Sequence, residues 1–272
     1  MGESTGQGHR HSSIGGMFRS FRESKSILYS LVRKNLEGQY KNSYLGFAWQ
    51  FITPAVTVLL FYMVMTGIRE TAVEDYWLYL CSGQFMFTFL QSSLSGGSAC
   101  IVNNAGMVQK MAFPREIIVL AQVMSSFIVM CIAYAIILLL MVITGCRFET
   151  APMLLFIPVM LMAAVFAAGM VFLFSAVTVY VRDVQHFINA FARVLFWVTP
   201  MFYLVGETSG LISKLIWWNP FTYYVESFHD ILYYVQVPEL WHLAVCALLA
   251  LATFAAGLAV FRRLKGRFAD KL

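Results

Sequence analysis

Six apolar stretches, each long enough to cross a lipid bilayer as a helix, limit what this sequence can fold into. A helix needs ~20 residues to cross a hydrocarbon core ~30 Å thick. Pro200 lies near the end of the fifth stretch and predicts a kink there. The sequence therefore predicts an all-α integral membrane protein with six transmembrane helices. The predicted spans are residues 48–67, 77–98, 117–144, 153–180, 187–205 and 240–261.

Charged residues are scarce and unevenly placed. The 272 residues are 60% hydrophobic and 12% charged, with a mean hydropathy of +0.71. A soluble domain carries about 25% charged residues, so a water-soluble globule is excluded. Lys and Arg concentrate before residue 48, after residue 261 and in the second and fourth connections. Because basic residues stay on the cytoplasmic side, both termini are predicted to be cytoplasmic, without a cleavable signal peptide.

The residues before the first span divide into a tail and a helix. Residues 1–19 are predicted to be a flexible cytoplasmic tail, and one membrane domain follows from 20 to 265. Within residues 20–39, apolar positions recur every three or four residues between basic flanks. This pattern predicts an amphipathic helix in the cytoplasmic interface, or an ordinary basic anchor. Residues 266–272 are predicted to be a second cytoplasmic tail.

Two features connect these cytoplasmic elements to the spans. Tyr40, Tyr44 and Trp49 are rings suited to the membrane interface, and Gly46 allows a bend, so the chain is predicted to form an elbow there. Residues 103–113 predict a short helix before Pro114. Such a helix would dock a soluble partner, unless the segment is only a loop.

The segment before the last span is neither a span nor a polar loop. Residues 211–218 and 221–235 predict two short amphipathic helices, broken at Asn219-Pro220. They suit a re-entrant hairpin over 206–235, which needs protein or a water-filled cavity around it. Aromatic residues concentrate here, partly as an interfacial belt. Because aromatic faces pack against the C–H faces of sugars, an outward path for a carbohydrate is a further interpretation.

Motifs for chemistry are absent, and the remaining polar candidates stay open. No P-loop, HExxH or GxSxG sequence occurs, and the five cysteines have no metal-binding spacing. Glu226, His229 and Asp230 share a helical pattern that favours polar contacts in the hairpin over a metal site. Arg193 lies inside the fifth span, where it either reaches the interface or faces inward to attract an anionic headgroup such as a diphosphate.

Five ordered motifs resemble one family. The first segment follows a pattern of Arg, then Tyr-x-x-Ser-x-Leu-Gly-x-x-Trp, then Pro. The matching residues are Arg33, Tyr40, Ser43, Leu45, Gly46, Trp49 and Pro54. The other motifs are KMAFPREI (110–117), YVRDVQH (180–186), FWVTPMFY (196–203) and NPFTYYVESFHDIL (219–232). From about residue 27 onward, the chain resembles ABC-2 type permeases that export polysaccharides such as O-antigen, capsule and teichoic acid.

This resemblance implies a mechanism and a set of partners. The permease would be a homodimer in a bacterial inner or plasma membrane, bound to two copies of an ATP-binding cassette subunit. It would move a lipid-diphosphate-linked glycan outward, with ATP and Mg²⁺ on the partner, no cofactor on this chain and no nucleic acid. The runner-up is an ABC-2 exporter of a lipid, a drug or a lipo-oligosaccharide. A membrane enzyme acting on lipid-linked sugars is a more distant alternative.

The resemblance also implies two groups of functional residues. Residues expected to contact the ATPase are Arg33, Lys34, Tyr40, Met107, Lys110, Arg115, Arg182 and Asp183. Residues expected to line the substrate path or its gate are Trp217, Trp218, Tyr223, Tyr224, Phe228, Tyr203 and Arg193.

Overall fold

The computed structural model of the protein describes residues 14–38, 43–68, 74–110 and 113–272, with side chains from residue 25 onward except that of Glu207. Tyr40, one of the residues expected to contact the ATPase, lies outside the described residues. Within the described ranges the chain is helical and forms no strand. The helices are α1 (Ile14–Gly38), α2 (Trp49–Ile68), α3 (Tyr76–Ser98), α4 (Cys100–Asn103), α5 (Ala105–Lys110), α6 (Glu116–Thr144), α7 (Thr150–Tyr180), α8 (Asp183–Val198), α9 (Gly210–Trp218), α10 (Pro220–Leu232), α11 (Leu240–Leu264) and α12 (Phe268–Lys271).

Five of the six predicted spans coincide with one helix each. The bounds of α2, α3, α6, α7 and α11 agree with the predicted ranges within three residues. Gly145 ends α6 in the left-handed conformation at φ +75°, where glycine avoids the steric cost of a side chain. Pattern and length were sufficient to predict these long helices.

The prediction for the fifth span is wrong at its C-terminal end. The helix α8 covers Asp183–Val198, whereas the predicted span ran to residue 205. Thr199 has an extended backbone (φ −80°, ψ 129°), because the ring of Pro200 disfavours the helical conformation in the residue before it. The chain therefore leaves the helix at Thr199 and continues irregularly to a short 3₁₀ turn at Val205–Glu207.

Four of the described helical segments are long and apolar enough to cross a membrane. They are Gly46–Ile68, Glu116–Thr144, Thr150–Tyr180 and Leu240–Lys271. Of the two other predicted spans, α3 is diluted by serine, glycine and glutamine, and α8 has only 16 residues. Length and composition therefore support a membrane protein that crosses the bilayer several times.

The most extensive helix contact joins α7 and α11. A Cβ atom on Gly257 would lie 2.1 Å from the carbonyl oxygen of Gly169, so the two backbones touch directly. Rings of Phe172 and Phe261 pack edge to face at 5.1 Å. Because the paired residue numbers rise together along both helices, α7 and α11 run parallel. This pair, with α3 and α6, forms the frame that holds the shorter helices.

The C-terminal residues, predicted to be a tail, pack onto this frame. Lys265–Arg267 form a 3₁₀ turn and α12 follows. Phe268 is fully buried and packs edge to face against Phe261 at 5.4 Å. The packed body therefore continues beyond the predicted boundary at residue 265. At the other terminus, α1 begins at Ile14, before the predicted start at residue 20, and packs mainly against α6.

Candidate functional site

The hairpin region, residues 199–239, is organised around a buried junction. Asn219 caps α10: its Oδ1 accepts a hydrogen bond from the backbone N–H of Phe221 at 2.9 Å. Pro220 follows at the first position of α10, where no helical N–H is needed. The Nδ2 of Asn219 donates to Oγ1 of Thr199 at 2.7 Å. The helix break was thus predicted correctly, and the structure adds that this break is tied to the turn that ends α8.

Almost all of α10 is buried inside the chain. It packs against α3, α7 and α11, and ten of its 13 residues are buried. The hydroxyl of Tyr224 donates to the carbonyl oxygen of Cys246 at 2.8 Å. The ring of Phe228 lies 4.7 Å from that of Tyr134 and 5.2 Å from that of Phe156. These contacts come from three separate long helices, so α10 is a central element although it has only 13 residues.

The contacts of α10 also determine its position along the long helices of the frame. Phe221, at its start, packs against Phe166 near the middle of α7. Phe228, two turns later, packs against Phe156 in the second turn of α7. At the far end, the hydroxyl of Tyr233 donates to the carbonyl oxygen of Glu74, just before α3 begins. The helix α10 therefore runs from the middle of α7 to the end of the frame where α3 and α7 begin.

The predicted gate residues fall into three groups. Tyr224 and Phe228 have no exposed surface and form part of the core of a single chain. Trp217 and Tyr223 are half-buried and adjacent, and the Tyr223 hydroxyl donates to the carbonyl oxygen of Trp217 at 3.1 Å. The remaining three differ in place and exposure: Trp218 is 87% exposed on α9, Tyr203 is half-buried after α8, and Arg193 is exposed on α8.

A buried polar pair lies behind the hairpin. Nδ1 of His229 lies 3.1 Å from Oε1 of Glu226, as the three-residue spacing predicted for a polar contact. The imidazole ring stacks on Tyr79 of α3, with 3.9 Å between ring centroids. Gly83, one turn further along α3, leaves the space that the imidazole occupies, because a Cβ there would lie 2.6 Å from Nε2. Among the described residues, no group of three His, Cys, Asp or Glu side chains is arranged to hold a metal ion.

Sequence reasoning missed Tyr76, Tyr79 and Gly83, although all three face the hairpin region. The hydroxyl of Tyr79 donates to the carbonyl oxygen of Tyr203 at 2.8 Å, and that of Tyr76 donates to the carbonyl oxygen of Phe202 at 2.5 Å. The available signal was the four-residue spacing from Tyr79 to Gly83, which places both on one face of α3. That signal identifies a shared face but not the partner that covers it.

A second cluster, which we call the terminal cluster, joins the C-terminus to the start of α6. Lys265 forms an ion pair with Glu116, and the guanidinium of Arg115 donates to the carbonyl oxygen of Lys265. The same guanidinium lies 5.8 Å from the centroid of the Phe268 ring. The hydroxyl of Tyr180, at the end of α7, donates to the carbonyl oxygen of Leu264 at 2.9 Å. The terminal cluster therefore holds the ends of α6, α7 and α11 together.

Of the residues expected to contact the ATPase, Arg115 alone belongs to the terminal cluster. Lys34 links α1 to the turn before α5, since its Nζ donates to Oδ1 of Asn104 at 2.8 Å. Arg33 pairs with Glu37 on the exposed face of α1 at 2.7 Å. The predicted short helix at 103–113 is present as α5, and α12 contacts it. The other described members of the set are Met107, half-buried, and Lys110, Arg182 and Asp183, all exposed.

These features define a helical, multi-pass membrane domain with a short helix buried between its long helices. The family model for ABC-2 type transporters matches residues 27–233, and the chain belongs to this family. Two curated relatives cover nearly the whole chain. An O-antigen export system permease protein RfbA from Myxococcus xanthus is 22% identical over 258 residues, which are 94% of this chain and 99% of the relative. A protein with the same name from Klebsiella pneumoniae is 25% identical over 247 residues, which are 90% of this chain and 95% of the relative.

Proposed function

We propose that this chain is the membrane permease of an ABC exporter that moves a lipid-diphosphate-linked polysaccharide out of the cytoplasm. The observation that carries the proposal is the near full-length match to relatives named O-antigen export permeases. A separate ATP-binding subunit would hydrolyse ATP with Mg²⁺. A hydroxylated polymer with a charged diphosphate cannot cross hydrocarbon unaided, because its polar groups would lose their partners in water.

The proposed topology has six crossings and a re-entrant hairpin formed by α9 and α10. Packing of α10 against the middle of α7 supports this arrangement, because non-helical backbone at membrane depth needs protein around it. The Asn219-Pro220 break meets this condition through its hydrogen bond to Thr199. The helix α8 would cross with its 16 residues, ~24 Å at 1.5 Å per residue, and the irregular chain after Thr199. Both termini would then be cytoplasmic.

In this arrangement the exposed side of the hairpin forms the wall of the substrate path. Trp217, Trp218 and Tyr223 would contact sugar rings, and Tyr203 would lie near the outer mouth. Tyr224 and Phe228 would support this wall from behind, since both are fully buried. Arg193 is exposed on α8 and would meet the diphosphate.

The functional unit would be a homodimer with two copies of the ATPase. Exposed apolar side chains on α2 support an apolar partner there, whether lipid or a second copy. They include Val56, Leu59, Leu60, Met63 and Val64. The ATPase would bind α1, α5 and the turn at Arg182 and Asp183, and motion would pass through the terminal cluster to α6, α7 and α11.

Deletion of the gene tests the proposed function. We expect lipid-linked glycan to accumulate in the cytoplasmic leaflet, and plasmid-borne permease to restore export. Lipid extracts from the deletion strain and its parent, compared by mass spectrometry, measure this accumulation. If the glycan pool stays unchanged while another lipid or a drug accumulates, the chain is an exporter of that other substrate instead.

Coupling through the terminal cluster has its own test. Phe268→Ala removes the buried ring, and Lys271→Ala, at an exposed position on the same short helix, is the matched control. We expect Phe268→Ala to lower the amount of glycan moved per ATP hydrolysed in vesicles carrying permease and ATPase. If both variants and the parent move the same amount of glycan per ATP hydrolysed, the terminal cluster takes no part in coupling.

A further inference from the structure

A cavity of about 220 Å³ lies between α1, α2, α3 and α6. It adjoins the first two turns of α2 and the middle turns of α3 and α6. Neither the hairpin region nor the terminal cluster shares a residue with this cavity.

Polar side chains from four helices converge on this cavity. Asn35 comes from α1, and Gln50 and Thr53 come from α2. The remaining hydroxyl-bearing residues are Thr88, Ser92, Ser125 and Ser126, from α3 and α6. Such convergence creates a polar surface within an apolar domain, where polar groups without partners are costly.

The lining offers both hydrogen-bond donors and acceptors. Ser92 and Ser125 donate their own protons to carbonyl oxygens of their helices, and their hydroxyl oxygens can still accept hydrogen bonds. Thr88 does the opposite: its Oγ1 accepts from Nε2 of Gln84 at 3.1 Å and keeps its proton to donate. Among the described residues, none is hydrogen-bonded to the side chains of Thr53 and Ser126. The surface therefore retains capacity of both kinds.

The lining is also uncharged and partly aromatic. None of the described residues around the cavity is Asp, Glu, Lys, Arg or His. Phosphate and carboxylate groups are usually bound by charge-assisted hydrogen bonds from Arg or Lys, which this lining does not provide. Trp49, Phe85 and Phe89 complete the wall with flat apolar surfaces. The polar side chains of this lining can hydrogen-bond the hydroxyls of a sugar ring or of a glycerol unit. The aromatic faces can pack against the C–H faces of the sugar or the apolar chain of the glycerol unit.

We propose that this cavity binds an uncharged, hydroxyl-bearing group, a sugar ring or a glycerol unit, attached to an apolar chain in the bilayer. Two sources present this chemistry: the glycan whose export is proposed above, and the glycerol units of bilayer lipids. Only the glycan source rests on the proposed function. Simple helix-to-helix bonding through serine and threonine would close the space between the helices, whereas here the space is open.

A pair of threonines on α2 provides a matched test. Thr53 lines the cavity, and Thr57, one turn later, does not. Thr53→Leu fills the space and removes a hydroxyl, whereas Thr57→Leu makes the same chemical change outside it. Purified chain in phosphatidylcholine nanodiscs would be given three probes with the same eight-carbon chain. They are octyl glucoside, 1-octanoylglycerol and octylphosphocholine, and native mass spectrometry would measure their affinities.

We expect one saturable site for octyl glucoside or 1-octanoylglycerol, and weaker binding of octylphosphocholine. Thr53→Leu should lower that affinity about tenfold, the loss of roughly one good contact, while Thr57→Leu stays within about twofold. Preference for the glucoside identifies the glycan as the source, and preference for the glycerol probe identifies a bilayer lipid. Equal binding of all probes, or equal affinities for both variants, overturns the proposal.

A second variant guards against misfolding of Thr53→Leu. Ser92→Ala removes an exposed hydroxyl without adding volume, and size-exclusion profiles report whether each variant folds. We expect Ser92→Ala to weaken octyl glucoside or 1-octanoylglycerol binding about threefold. Unchanged affinity in this folded variant would count against the site even if Thr53→Leu cannot be purified. Since the assay contains no ATPase, its result is independent of the gene-deletion test.

Discussion

Helix α2 is long and mostly exposed, whereas helix α10 is short and mostly buried. The helix α2 has 20 residues, is mostly apolar and buries one of them, Pro54. The helix α10 has 13 residues, includes Thr222, Ser227, His229 and Asp230, and buries ten. In a membrane protein an apolar surface is already satisfied by lipid, whereas a polar side chain needs partners from the protein. Of these two helices, the shorter and more polar one is therefore the one that the chain buries.

The largest expected effect comes from emptying the core around α10. Phe228→Ala leaves a cavity between the rings of Tyr134 and Phe156, and we expect a loss of about 3–5 kcal/mol in unfolding free energy. Met63→Ala on α2, 62% exposed, should cost less than about 0.5 kcal/mol. Reversible unfolding in mixed micelles measures both. Similar losses for the two variants would mean that α2 is packed in a way that the single chain does not reveal.

A smaller effect is expected where α3 makes room for the imidazole. Gly83→Ala places a Cβ 2.6 Å from Nε2 of His229, and we expect overpacking to cost about 1–3 kcal/mol. Gly67→Ala on α2 meets nothing within 4 Å and should be neutral or stabilising by up to about 1 kcal/mol, because alanine favours helix. The same unfolding measurement applies. A tolerated Gly83→Ala would show that the contact between α3 and α10 is loose.

The cap of α10 should contribute less than its core. Asn219→Ala removes the cap and the hydrogen bond to Thr199, with an expected cost of about 1–2 kcal/mol. Asn103→Ala, exposed at the end of α4, is the matched control and should change stability by less than about 0.5 kcal/mol. Equal unfolding midpoints for these two variants would show that the hydrogen bonds of Asn219 do not contribute to the stability of the fold.

The predictable parts of the fold were those encoded locally. Apolar runs located the long helices, and proline in Asn219-Pro220 located the break in the hairpin. Neighbouring residues determine these features, because proline restricts the residue before it and removes its own donor. The same rule applied to Thr199-Pro200 would have ended α8 at Val198, where the predicted span continued to 205 instead.

Features that depend on contacts between distant segments were not predictable. Nothing in the neighbouring sequence marks Gly169 and Gly83 as sites of close contact, because their partners Gly257 and His229 lie far away along the chain. Burial of Phe268 against Phe261 was missed, since a short basic segment after the last span resembles a tail. For the candidate site, aromatic enrichment singled out the segment that forms α9 and α10. It did not distinguish the rings in the core, such as Tyr224, from those at the surface.

The smallest effect on stability is expected on the exposed side of the hairpin, and it separates structure from transport. Trp218 is 87% exposed on α9, so Trp218→Ala should change unfolding free energy by less than about 0.5 kcal/mol. If its ring contacts the passing glycan, export should fall severalfold at equal expression, because an aromatic contact contributes about 0.5–1.5 kcal/mol. Leu211→Ala, 72% exposed on the same helix, removes apolar surface without a ring and should leave export unchanged. Pulse-labelled glycan at the cell surface measures the rate. Unchanged export in Trp218→Ala would make this ring an interfacial anchor and not a part of the substrate path.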